Sequence, residues 1–434
     1  MSTLFGSGML GLRALATGLP VSFLLNPRKA MADTPPSMPA QYIILNTSGQ
    51  GDPINCNCPG TYNPQFTDIV HSADPTMAPT SLTLAGSSTT AAAPWATLPQ
   101  NVLDRSAFFH VMTNTPVHPK EPDVLQLMGA TASSEMLPSV ASKILAPLLK
   151  TIQSQPISVG ATTPSETITF GGAPLPIIPP LALAATLTNA PGELTNLQSL
   201  RDSTLNSMYA LYKNNASPAQ KAYIDAVVTS QTQVRNIKQE LLNALVSIKD
   251  NTPASQIIAA ITLIQMGVSP VVAIHIPFGG DNHSDPNFVN EAAQTVTGVQ
   301  TIATLMSSLA TAGIADSVTF LSLNVFGRTL GPGNSSGDKT LGRQHNQNHQ
   351  VSIAIGKGIK GGVYGGITPT QGDYGALPID SKTGEGSTSG DITALSTLAS
   401  FGKTALTAVG CDATSISTQI TSGTVIAGAL ANGS

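Results

Sequence analysis

The chain has little charge. Only 10% of its 434 residues are Asp, Glu, Lys or Arg, against ~25% in an average soluble protein. Ser, Thr, Ala, Gly and Asn fill the surface instead, a composition commoner in exported bacterial proteins than in cytosolic enzymes. The net charge of -4 comes with scattered Lys and Arg, so no basic face exists and nucleic acid is excluded as a partner. Cysteine is equally scarce: Cys56, Cys58 and Cys411. With no second cysteine pair, a four-thiolate zinc site is excluded. Cys56 and Cys58 are too close for an easy mutual bridge. Either could pair with Cys411 in an oxidising compartment, or all three simply stay buried. No uninterrupted run approaches the ~20 apolar residues of a membrane span, so no stable span is expected. No G-x-x-x-x-G-K-[ST] sequence is present, which rejects a nucleotide-binding P-loop.

The N-terminus points to export. Gly8 to Leu25 is mostly apolar, and Ala30-Met31-Ala32 supplies small residues at the two positions a signal peptidase reads. The expectation is a signal peptide over residues 1–32, a mature protein from Asp33, and a periplasmic or extracellular location. A charged n-region and an Arg-Arg pair are both missing, and an amphipathic helix that stays on the domain is the alternative.

The remaining length suits one large α/β domain over residues 33–434. Tyr42-Ile43-Ile44-Leu45, Ala107 to Met112, Val271 to Ile276, Val318 to Leu323 and Val351 to Ile355 read as buried strands. Asn290 to Ala312, with Val296, Val299, Ile302, Leu305 and Leu309 near one face, reads as the crossover helix of a βαβ unit, which makes strands 271–276 and 318–323 parallel. Runs 42–46, 270–276 and 317–323 are expected as parallel neighbours in one sheet covered by helices on both faces. Residues 85–97 are small and polar and read as loop. Residues 156–182, Pro- and Thr-rich, read as irregular. Helices follow from Ser217, with Tyr223, Val227, Val234, Ile237, Leu241, Leu245 and Ile248 on one face, and from Ser255 to a cap at Gly267. Together these make an irregular and helical insertion at about 150–267. No internal repeat is visible.

Polar residues gather past the ends of these strands, where open α/β sheets place their sites. Asp281-Asn282-His283 follows one strand, Asn324-Val325-Phe326-Gly327-Arg328-Thr329 another, and Gly342-Arg343-Gln344-His345 lies in the loop beyond. Asp281 and His283 read as functional, with N-capping of the next helix the blander role for Asp281. His349 and His275 read as structural. Arg328 and Arg343 could hold an anion bidentately or tie loops down through carbonyls.

These segments resemble a bacterial exported family, domain of unknown function family 1501, related to sulfatases and alkaline phosphatases. The resemblance rests on five segments in order: Gly49-Gln50-Gly51-Asp52-Pro53-Ile54-Asn55, Asp281-Asn282-His283, Phe326-Gly327-Arg328-Thr329, Gly342-Arg343-Gln344-His345 and Lys360-Gly361-Gly362. It implies an alkaline phosphatase-like α/β fold and metal-dependent hydrolysis of a phosphate or sulfate ester, with a small anionic ester as partner, while the low charge and abundant Thr, Ser and Asn suit glycan contact. It also implies a metal set of Asp52, Asp281, His283 and His345. Two departures reduce that site. Val325 stands where the family has Glu, and Gln344 where it has Asp, so two negative ligands are lost. The remaining four suit one zinc-like divalent ion rather than two. No nucleophile is selected among Thr47, Ser48, Thr113, Thr115, Cys56 and Cys58. The competing reading is a non-catalytic member that serves as an extracellular binding or surface-assembly module.

Overall fold

The structure is a computed structural model. It describes residues 39–51, 56–161, 164–188, 195–214, 239–278, 280–331 and 342–431, and a few positions between 216 and 224. The expected signal peptide, Asp52, and the helix positions Tyr223, Val227, Val234 and Ile237 lie outside the described residues.

Runs rich in β-branched and aliphatic residues become the central strands, because a strand buried on both faces favours apolar side chains; Thr319 and Ser322 are polar residues buried among them. In chain order these are β1 (Tyr42–Ser48), β2 (Ser106–Val111), β3 (Ile157–Ser158), β4 (Val271–Ile274), β5 (Val318–Asn324), β6 (Gln350–Ile355) and β7 (Gly362–Tyr364). They form one sheet in the order β7-β2-β6-β5-β1-β4-β3. β1 lies between β4 and β5 and is parallel to both. β6 alone runs against its neighbours β2 and β5, so the sheet is mixed and mostly parallel. The expected βαβ pair is therefore parallel, with β1 inserted between its two strands.

Alternation along the strands divides the core in two. Ile44, Val272, Ile274 and Phe320 face one side, where they meet Ile257 and Ile261 of helix α2 (Pro253–Gln265) and Val299, Ile302 and Leu305 of helix α3 (Val289–Thr311). Ile43, Leu45, Val271 and Leu321 face the other, against Val140 and Ala141 of helix α1 (Leu137–Leu149) and Phe401 and Leu406 of helix α4 (Thr397–Ala408). Each fully buried side chain of this kind contributes about 1.5–3 kcal/mol. Helices on both faces of such a sheet make an α/β fold.

The three cysteines are free and buried. Cys58 and Cys411 belong to cores on opposite faces of the sheet, so no bridge forms between them.

Two regions differ from expectation or add to it. Residues 85–97 are structured: Pro79–Leu84 and Ser87–Ala92 pair as an antiparallel hairpin, and a 3-10 turn over Ala93–Thr97 buries Trp95. The hairpin turns on Ala85 and Gly86, both with positive φ, the combination that two-residue hairpin loops require. Residues 156–182 carry β3, a 3-10 turn at Pro164–Glu166 and a minimal hairpin of Thr169–Phe170 with Ala173–Pro174. Beyond them, helices cover Pro180–Thr188, Thr195–Asn214 and Gln239–Val246. Ser217 and Gln220 exchange capping-box hydrogen bonds. Among the described residues, no helix is long and apolar enough to cross a membrane.

Candidate metal centre

The C-terminal ends of the parallel strands deliver four side chains to one place. Asp281 and His283 lie in the turn after β4, and His345 begins a short strand (His345–Asn346) paired with Gly327–Arg328 beyond β5. His118 opens a 3-10 turn, His118–Lys120, beyond β2. One ligand atom from each of His118, Asp281, His283 and His345 falls within 4.8 Å of all the others. Of the sequence-derived set, Asp281, His283 and His345 are thus brought together, and Asp52 lies outside the described residues. His118 was missed by sequence reasoning, although it follows a buried strand at the same end of the sheet.

Hydrogen bonds fix how the imidazoles face. A carbonyl oxygen can only accept, so His118 Nδ1 donates to Gly49 O at 2.8 Å, and His345 Nδ1 donates to Pro116 O. In the neutral form of each ring the lone pair is then on Nε2. Arg328 Nη1, a donor, lies 3.3 Å from His283 Nε2, and Asp281 Oδ1, an acceptor, lies still closer to the same nitrogen, so these contacts fit either tautomer of His283. The Nε2 atoms of His283 and His345 are 2.9 Å apart. His283 Nε2 is 3.1 Å from Asp281 Oδ1, and His118 Nε2 is 3.8 Å from Asp281 Oδ2. Ligands ~2.0–2.2 Å from a tetrahedral ion lie roughly 3.3–3.6 Å from one another, so the three separations bracket that edge. Burial favours the neutral rings: it holds the His345 imidazole down at about 4, with Arg328 and the neighbouring histidines adding to the effect, and it lowers His283 in the same direction. Two imidazole nitrogens 2.9 Å apart with a carboxylate oxygen beside them, and protonation of both rings disfavoured, is an arrangement a cation relieves.

Arg328 is buried beneath the cluster. Its Nη2 donates to Gln50 O at 2.6 Å, Gly280 O at 3.1 Å and Asp281 Oδ1 at 3.1 Å. It ties the loop after β1 to the turn after β4 and places a positive charge behind the ligands.

Of the two roles expected for Arg343, holding an anion and tying loops down through carbonyls, its contacts fit the second. Arg343 is fully buried. Nε and Nη2 clasp Glu291 at 2.5 and 3.1 Å. Nη1 donates to Thr329 O and Leu330 O, and Nη2 also donates to Val70 O. All five donors are used inside the protein, so none remains for a ligand. Its backbone N–H donates to Asn282 O, which braces the turn that carries Asp281 and His283. Asp285, not Asp281, caps helix α3, accepting from Asn290 N and Glu291 N at 2.9 Å each.

Gly342 is required at this junction. A Cβ there would lie 1.8 Å from Asn282 O. Val325 is buried in an apolar cluster, and Gln344 hydrogen-bonds to the His283 ring. His349 is buried and paired with His110, Nε2 to Nδ1, at 2.8 Å, away from the cluster. Lys360-Gly361-Gly362 lies past the end of the antiparallel β6, at the opposite end of the sheet from the four ligands.

No curated protein matches the chain. Residues 185–378, a span holding Asp281, His283, Arg328, Arg343 and His345 but not His118, match the family model described as "Protein of unknown function (DUF1501)", and this match supports the family that the motifs resemble.

Proposed function

We propose that the chain holds one divalent, zinc-like cation through His118, Asp281, His283 and His345, and that it hydrolyses a small phosphate or sulfate ester there. The observation that carries this is the convergence of three imidazole Nε2 atoms and one carboxylate, with two of the rings locked by Nδ1–H to carbonyl bonds. A bound ion at such a site polarises an ester oxygen and lowers the pKa of water. Asp281 is about half exposed, at 47%, and its carboxylate is shared with Arg328. The site therefore faces solvent on the Asp281 side, where a substrate oxygen can approach. Arg328 orients His283 and Asp281, and with the ion it leaves the centre net positive, which favours an anionic ligand. The mixed, mostly parallel sheet and the motif order support kinship with sulfatases and alkaline phosphatases. The N-terminal apolar stretch and Ala30-Met31-Ala32 support an exported, periplasmic or extracellular protein.

A non-catalytic binding module is the second reading. It is favoured by the apolar Val325 and by Arg343, which has no donor left for an anion. Among the described residues only one group of side chains has metal-ligand geometry. Aryl phosphate and aryl sulfate hydrolysis by zinc-loaded protein separates the two. Hydrolysis that disappears with a chelator and in Asp281→Ala supports the enzyme. A metal-loaded protein inert to both esters supports the module.

A further inference from the structure

The loop after β1 is held from below by an acid of the irregular segment. Glu166, almost fully buried, ends the turn Pro164–Glu166, and this turn packs against the His118–Lys120 turn. Gly49 N–H donates to Glu166 Oε1 at 3.2 Å, while Gly49 O accepts from His118 Nδ1 at 2.8 Å. A single glycine thus links the acid to the imidazole. The loop has little stiffness of its own, since Gly49 lacks a Cβ and Gly51 has φ +85°. Around Glu166 the setting is polar and buried. His275 Nδ1 lies 3.6 Å from its Oε2. Glu121 is fully buried beside the Ser48 amide. Burial first, and then the nearby Glu166, push the Glu121 carboxyl well above the usual carboxylate range.

We infer that Glu166 is a positioning residue for the candidate centre: by fixing Gly49 it holds the carbonyl that keeps His118 with its Nε2 turned toward Asp281. The inference rests on the metal reading for its purpose, though not for its geometry. It gives the irregular segment a role, because that segment carries the acid under the loop. Glu166, and not the neighbouring Glu121, is the acceptor for Gly49 N–H. Partners one shell beyond a ligand typically change metal affinity by ~10–100-fold, and Glu166 acts through one further group, so about tenfold is expected.

The test is nitrogen NMR of metal-free protein labelled at histidine, with His118 assigned from the His118→Gln spectrum, followed by cobalt(II) titration. In wild type His118 should be the Nδ1–H tautomer. Glu166→Ala should convert it to a tautomer mixture, leave the His110–His349 signals in place and weaken cobalt binding about tenfold. Glu166→Gln should restore both, because its amide oxygen still accepts from Gly49. If Glu166→Ala fails to fold, Glu166→Asp, one methylene short of Gly49, is read the same way. A His118 tautomer indifferent to these substitutions overturns the inference, whatever cobalt does. A tautomer that follows Glu166 in a protein that binds no cobalt leaves the inference standing and removes the metal reading.

Discussion

Replacing Arg343 by Met distinguishes an internal brace from an anion clamp. Arg343→Met keeps most of the side-chain length and removes all five donors. It strands the buried Glu291 carboxylate and leaves the carbonyls of Val70, Thr329 and Leu330 without this partner. Breaking a buried pair from one side typically costs about 3–5 kcal/mol, because an uncompensated charge remains in the core. The bonds lost to carbonyls act in the same direction without adding in full. We expect a loss of about 3–5 kcal/mol on that basis, measured as a lowered urea midpoint in chelated protein. Adding Glu291→Gln removes the stranded charge and should recover part of the loss. Stability within about 1 kcal/mol of wild type, the usual range for a surface change, would refute the brace. So would protection by phosphate that wild type shows and the variant lacks.

Gly342→Ala should push the Asp281-Asn282-His283 turn away, since its Cβ would meet Asn282 O; zinc affinity, measured by competition with a chromophoric chelator, should fall at least tenfold, and an unchanged value would contradict the packing described. The buried His110–His349 pair predicts an acid limit to stability. Burial holds His110 at about 4 and His349 well below its ordinary value, so the unfolded chain binds these protons first. Stability from the neutral pair is complete above the unfolded pKa of ~6.5 and is lost as pH falls from there toward 4, by about 1.4 kcal/mol per pH unit for each group. Urea midpoints of metal-free protein should fall steeply between pH 6.5 and 4.5, and a flat profile there would show that the pair is not held neutral.

The central strands were legible because burial on both faces leaves 42–46, 271–274 and 318–323 largely apolar, with Asn46, Thr319 and Ser322 the buried polar exceptions. The direction of β6 was not, since Val351 to Ile355 has the same local pattern whichever way it runs. The hairpin at 79–92 was hidden by its Ser, Thr and Ala content, which reads as loop although Ala85-Gly86 allows a tight turn. The Asp281, His283 and His345 grouping was readable because each follows a strand. His118 also follows one, but its flanking Pro116 and Pro119 give no ligand spacing. Whether Arg343 faced a ligand or the core was undecidable locally, since its partner Glu291 lies 52 residues away and only the folded chain brings the two together.

Metal stoichiometry tests the central claim most directly. Chelated wild-type protein titrated with zinc by calorimetry, alongside His118→Ala and Asp281→Ala, should bind one equivalent per chain, with affinity reduced at least tenfold by each substitution. His349→Ala should leave affinity near wild type. No binding by wild type, or a single site that survives the loss of both His118 and Asp281, would contradict it.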